Sequence, residues 1–235
     1  MLCYQDEANW LQSMEIIGAQ GQLVLSVLER FGMGELQLLQ ARDFLSNVED
    51  IAIRTSKQGK NGLDMLWRNP SLYDHAVGSV LVAATFIDQM GFTRERSIKN
   101  VGLACLLHDF SLLEEGHAVR SEEVEQMTSE ERLRFHEHPL ATARKLSEFG
   151  GFDPIVIQAI EHHHERRTKK GFPHKLGPGQ IHPVAEVVGL SDEFVRLLQK
   201  AGNHSRLKIN AALQDWVYQG FSSPVVGAFD KTIFK

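Results

Sequence analysis

The segment EHHHERRTKKGFP, residues 161–173, sets three imidazoles side by side, followed by a basic run and a Gly-Phe-Pro turn. Neutral imidazole is the commonest protein ligand for transition metals. Four other segments carry related chemistry. LYDHAVGSV holds His75, LACLLHDF finishes on His108 and Asp109, RFHEHPL places His138 before Pro139, and VVGLSDEF sets Asp192 among apolar residues. A carboxylate between Leu190 and Phe194 needs a partner. Several neutral nitrogens plus a carboxylate that can bridge are what a pair of divalent transition ions requires. Water shared by two such ions loses a proton near neutral pH, which suits hydrolysis of phosphate esters. Each piece alone also has a plain reading. A lone His in a helical protein is usually a capped or core residue, and HHH is also what a solvated patch after an amphipathic helix looks like. The ordered set is more specific than any member.

The elements that must position these residues read as helices. In GQLVLSVLERFGMGELQLLQARDFLSNVEDIAIRT, apolar residues recur at three- and four-residue intervals, with Gly32 and Gly34 dividing the stretch in two. The polar run 56–62, SKQGKNG, is the expected boundary. Further helices are expected at about 75–91, 96–109, 129–148, 153–165, 180–200 and 207–233, the last with a turn. Strand signals are poor, so the fold class is all-α. Residues 1–65 read as a helical lead-in, and the apolar stripe of residues 10–56 suits a contact within the chain, a homodimer interface or a docking surface. Residues 66–235 read as a compact bundle. Gly171, Phe172 and Pro173 read as a turn ending the His-rich helix.

Composition sets limits. With 235 residues, 43% hydrophobic and 23% charged, the chain is of ordinary globular type. A formal charge of -5 argues against a general nucleic-acid binder, which needs a dominant basic face. The two cysteines, Cys3 and Cys105, offer no disulfide framework, and the acidic start MLCYQDEANW does not read as a signal peptide. Cytoplasmic location without a membrane span is the expectation.

The order H…HD…H…HH…D resembles the HD superfamily of metal phosphohydrolases. The tail HHER, four residues, then GFP resembles the HD-GYP branch, whose consensus there is HHE-R-x-D-G-x-GYP. The similarity runs from about residue 60 to the C-terminus and takes in MTSEE at 127–131, His138-Pro139 and the final AALQDWVYQGFSSPVVGAFDKTI. The resemblance implies an HD-domain helical bundle of HD-GYP type with an N-terminal helical extension. It also implies hydrolysis of the second messenger cyclic di-GMP to pGpG or GMP at an iron or manganese centre. Carried over by motif, His75, His108, Asp109, His138, His163, His164 and Asp192 would hold two divalent transition-metal ions, Fe or Mn. Asp109 would bridge them as the catalytic carboxylate. Partners implied are cyclic di-GMP or a related nucleotide and diguanylate cyclase (GGDEF) or other signalling proteins.

The chain departs from that pattern around the substrate. Leu112 stands where the branch has the Lys of its HD-Ile-Gly-Lys run, and Glu114 and Glu115 follow. Losing a cation beside a phosphoryl group could cost roughly 10²-fold or more in rate. Ser71 replaces the Glu expected of three-metal members, so two ions are expected. Gly78 replaces an Arg, Thr168-Lys169 an Asp-Gly, and Phe172 the Tyr of GYP. The RPYR element is not recognisable, although Arg196, Lys200 and Arg206 lie nearby. The metal ligands thus look complete and the substrate contacts eroded. Arg166, Lys169, Lys170 and Arg196 are the cations expected to meet phosphate, with Arg167 in the same basic run; such a run is otherwise a solvated face. Two main functions follow: a slow cyclic di-GMP phosphodiesterase, or a degenerate domain serving as a receptor or interaction module. A phosphohydrolase for a different nucleotide is a third. His117, His136, His162, His174, His182 and His204 match no motif position and read as surface residues or as groups behind the ligands.

Overall fold

The three- and four-residue periodicity becomes helix along the chain in a computed structural model that describes residues 2–57, 66–67, 74–92, 94–114, 127–201 and 206–233. In chain order these are α1 (Leu2–Phe31), α2 (Glu35–Lys57), α3 (His75–Phe86) with a 3-10 turn (Ile87–Met90), α4 (Glu95–Leu107) and α5 (Phe110–Glu114). There follow α6 (Ser129–Phe149), α7 (Pro154–His162), α8 (Pro183–Ala201), α9 (Arg206–Ala212), a π turn (Leu213–Val217), a 3-10 turn (Tyr218–Gly220) and α10 (Ser223–Ile233). No strand occurs among the described residues, so the all-α expectation holds.

Local chemistry sets the ends. Gly32 at φ 69° stops α1 in a left-handed conformation that a side chain disfavours. Asp74 caps α3 by accepting from Ala76 N at 3.0 Å, which fixes His75 as its first residue. Thr128 and Glu131, from the MTSEE run, form a reciprocal capping box on α6. Asp153 caps α7 with Pro154 in its first turn. Most of the polar boundary at 56–62 lies outside the described residues, as do Ser71, Glu115, His117 and His204.

Helix α3, HAVGSVLVAATF, is apolar on all sides and is accordingly buried, packed against α4, α8 and α10. Gly78 lies where α3 meets α8: a Cβ there would sit 3.0 Å from Val195 Cγ1. The position where the branch carries Arg is here a helix–helix contact with no room for one. Helices α1 and α2 pack on each other and on α3, α4 and α5, and Met14, Ile17, Leu28, Phe44 and Leu45 join the same apolar core as the bundle. The opposite face leaves Ile16, Leu23, Leu36 and Leu39 exposed.

Phe86, Phe194 and Phe229 are fully buried and meet edge-on, with centroids 5.3 Å (Phe86–Phe229) and 5.2 Å (Phe194–Phe229) apart. They fasten α10 to α3 and α8. Phe229→Ala removes the shared ring and should lower unfolding free energy by about 3–5 kcal/mol, read as an earlier midpoint in urea denaturation.

Candidate metal centre

Three of the histidines occupy points where a helical hydrogen-bond ladder is interrupted. Helix α4 ends at Leu107, so Cys105 O is among the last carbonyls lacking a helical donor. His108 Nδ1 donates to it at 2.7 Å. Pro139 lies inside α6 and has no N–H to give to Phe135 O four residues earlier; His138 Nδ1 donates there instead at 2.5 Å. Helix α7 ends at His162, and His163 Nδ1 donates to Ile160 O at 2.6 Å. A carbonyl only accepts, so each Nδ1 must carry the proton. In the neutral ring each Nε2 is then a bare lone pair aimed inward.

Those lone pairs converge. Asp109, His138, His163 and His164 place ligand atoms within 4.8 Å of one another, and so do His75, His108 and Asp192. All seven residues expected as ligands are therefore brought together, in two adjacent groups. Asp109 lies between them, with Oδ1 3.0 Å from His138 Nε2 and Oδ2 3.3 Å from His108 Nε2. Asp192 Oδ1 lies 2.6 Å from His75 Nε2 and 3.5 Å from His108 Nε2, and its Oδ2 lies 3.8 Å from His164 Nδ1. Buried His108 Nε2, Asp109 Oδ1, His164 Nε2 and Asp192 Oδ2 have no hydrogen-bond partner. His138 Nε2 and His163 Nε2 face each other at 3.3 Å. Two nitrogens so close need either a proton shared between them or a cation beside both. Orphaned donor atoms of this kind, in a set of imidazoles and carboxylates, fit divalent transition ions, and each group could hold one.

Without an ion the site carries protons. Burial opposes charge on His108, but Asp109 and Asp192 outweigh it and push its imidazole up to about 10. Burial would raise both carboxyls; His108 and His138 beside Asp109, and Arg196 and His108 beside Asp192, hold both well below the usual carboxylate range. His163 and His164 are driven well below the ordinary imidazole value, first by burial and then by neighbouring histidines. At neutral pH they are unprotonated and ready to ligate.

Accessibility is one-sided. His75 and Asp109 side chains are 19% and 22% exposed, whereas His108, His138, His163 and Asp192 are within 1% of fully buried. Solvent therefore enters over His75 and Asp109. Arg196, one turn after Asp192, reaches this edge. Its Nε donates to Asp192 Oδ1 at 2.8 Å, its Nη2 lies 3.4 Å from Asp109 Oδ2, and its buried Nη1 has no partner.

The other expected cations are placed differently. Arg166 turns inward: it donates to His163 O and Glu165 O, pairs with Glu193 at 3.1 Å and lies over the Phe221 ring. It braces the loop after α7. Lys169, at φ 60°, and Lys170 are exposed; Lys170 lines a surface cavity with Thr168 and Trp216. Leu112 is 4% exposed and buried in α5. Gly171, Phe172 and Pro173 form the expected turn. Phe172 stacks between His136, at 4.5 Å, and His164, at 4.4 Å, and so walls one side of the site. Gly171 is required because a Cβ would collide with the backbone of His164–Arg166.

Sequence reasoning missed Glu165, which is buried and accepts from His174 N and Leu176 N, closing the loop. It also missed Glu186, buried against Ser222 N at 2.8 Å and Ser222 Oγ at 2.6 Å. A glutamate in so polar a run as HHHERR shows no burial signal. Glu186, between Val184 and Val187, does carry one, since a carboxylate among apolar residues needs a partner.

Gly189 lets α8 lie directly on the carbonyl of His163, where a Cβ would collide with that oxygen. Gly189→Ala should lower stability by about 1–3 kcal/mol and reduce metal retained after dialysis, measured by elemental analysis. The raised value of His108 fixes a second outcome. Its folded value, about 10, exceeds its ordinary value of 6.5. The stabilisation is therefore complete below pH 6.5 and is lost as pH rises through about 10. Between those limits the melting temperature of metal-free protein should fall more steeply than that of His108→Gln.

Comparison with known proteins bears on the family and the fold. The HD domain family matches residues 41–219. Among solved structures, Bd1817, a HDG"Y"P protein from Bdellovibrio bacteriovorus, superposes with a TM-score of 0.74 at 17% identity, covering 94% of this chain and 71% of that one. No curated protein matches. Domains of the HD superfamily are typically metal-dependent hydrolases. With most of its length matched and its fold that of an HD-GYP protein, the chain belongs to the HD domain family.

Proposed function

We propose that this protein is a binuclear metal-dependent phosphodiesterase that hydrolyses cyclic di-GMP to pGpG or GMP. The observation that carries the reading is the convergence of seven imidazole and carboxylate side chains in two groups, with Asp109 in contact with both. In this reading His75, His108 and Asp192 would hold one ion and His138, His163 and His164 the other, with Asp109 in reach of both. Iron or manganese suits such a mixed nitrogen and oxygen set. The ions, when bound, acidify water and neutralise charge on phosphoryl oxygens. The chain's own residues do the rest. The Cys105, Phe135 and Ile160 carbonyls hold three rings in the ligating tautomer. Phe172 shields His164 from water.

Arg196 is assigned the role left open by Leu112. It contacts both Asp109 and Asp192 beside the accessible edge, where its positive charge would attract a phosphate oxygen. The substrate cation thus comes from α8 rather than from the residues after the HD pair. A second reading, a metal-holding receptor for cyclic di-GMP or a platform for signalling proteins such as diguanylate cyclases, is favoured by the buried, apolar Leu112.

The test is anaerobic purification, metal counting by elemental analysis and chromatography of a cyclic di-GMP incubation. Two equivalents of metal and linear product are expected. Arg196→Ala should retain metal and lose about 10²–10³-fold in kcat, with partial recovery in Arg196→Lys. Persistent absence of metal would sink both readings; loaded protein that binds cyclic di-GMP without turnover would leave the receptor.

A further inference from the structure

A third concentration of ligating side chains lies outside the two groups above. Glu161, His162 and His174 bring one carboxylate oxygen and two imidazole nitrogens within 4.8 Å of one another. Glu161 and His162 close helix α7, while His174 follows the Gly171–Phe172–Pro173 turn. The three therefore join the end of that helix to the loop that returns over it.

His174 Nε2 lies 2.7 Å from Glu161 Oε1, and the His162 and His174 rings meet edge-on with centroids 5.7 Å apart. His162 Nδ1 is shut off from water and has no hydrogen-bond partner. A buried nitrogen in that condition is costly, and a cation would satisfy it. The backbone of His174 is already fixed, since its N–H donates to the buried carboxylate of Glu165. Glu161 and His174 remain 30% and 38% exposed, so an ion can enter and keep water on its remaining position.

The donor set selects the ion. Two imidazoles and one carboxylate with an open fourth position suit tetrahedral zinc. Calcium and magnesium, which take oxygen ligands, are disfavoured. We propose that Glu161, His162 and His174 form a separate zinc site that clamps the 165–176 loop to the end of α7. This site stands apart from the phosphodiesterase reading, although it adjoins it: His163 and His164 follow His162 directly, and Phe172 of the clamped loop stacks on His164.

The experiment uses the full chain, stripped with chelator and dialysed to equilibrium against zinc ions alone. Bound zinc is counted in wild type, His174→Ala and Glu161→Gln, with circular dichroism to verify folding. Each variant is expected to carry one zinc equivalent fewer than wild type, whatever the buried groups hold. Zinc should also raise the melting temperature of wild type more than that of either variant. Equal zinc content in wild type and both variants overturns the site. Because the readout is a difference, it judges this site whatever the buried groups take up; their failure to hold iron or manganese in the anaerobic metal count would refute the binuclear reading and leave this one standing.

Discussion

Three imidazoles owe their aim to carbonyl oxygens that an unbroken helix would have consumed. Cys105 O and Ile160 O are free because α4 and α7 stop, and Phe135 O is free because Pro139 has no hydrogen to offer. Each carbonyl takes the Nδ1 proton of the histidine three residues on, which leaves Nε2 pointing into one small volume. The helix ends and the proline are therefore part of the site. A continuous helix through any of these points would compete for the same oxygen and release the ring.

Convergence of so many donors creates an electrostatic problem as well as a binding site. Two carboxylates and several imidazoles cannot share a buried volume without positive charge. Arg196 supplies one part by contacting both Asp109 and Asp192, and a proton on His108 supplies another. Divalent ions would displace that proton and take over the balance, so loading with metal is coupled to proton release. Arg196 lies beside the accessible edge, bonded to both carboxylates.

An apolar frame holds the arrangement in place. Helix α3 is buried on all sides, α8 lies against the His163 carbonyl through Gly189, and the Phe86–Phe194–Phe229 cluster ties α10 behind them. Glu165 and Arg166, in the midst of the basic run, spend their polar groups on closing the loop that carries Phe172. Residues that look like a charged surface patch thus divide into loop braces and exposed cations.

Helical periodicity, the break at Gly32 and the ordered His and Asp pattern were legible in the residues alone, because each is a local or repeating signal. The same pattern named the seven side chains that meet. It did not reveal that Arg196 would face Asp109 across 87 positions of chain, nor that Arg166 would turn away to brace the loop. Gly78 and Gly189 likewise read as ordinary glycines until two helices are seen to touch there. Such features depend on which faces of separate helices meet, and a linear sequence fixes each helix's own face without stating its neighbour. Residue types and spacing determined what chemistry the chain carries; the packing of α3, α4, α6, α7 and α8 decided which groups share it.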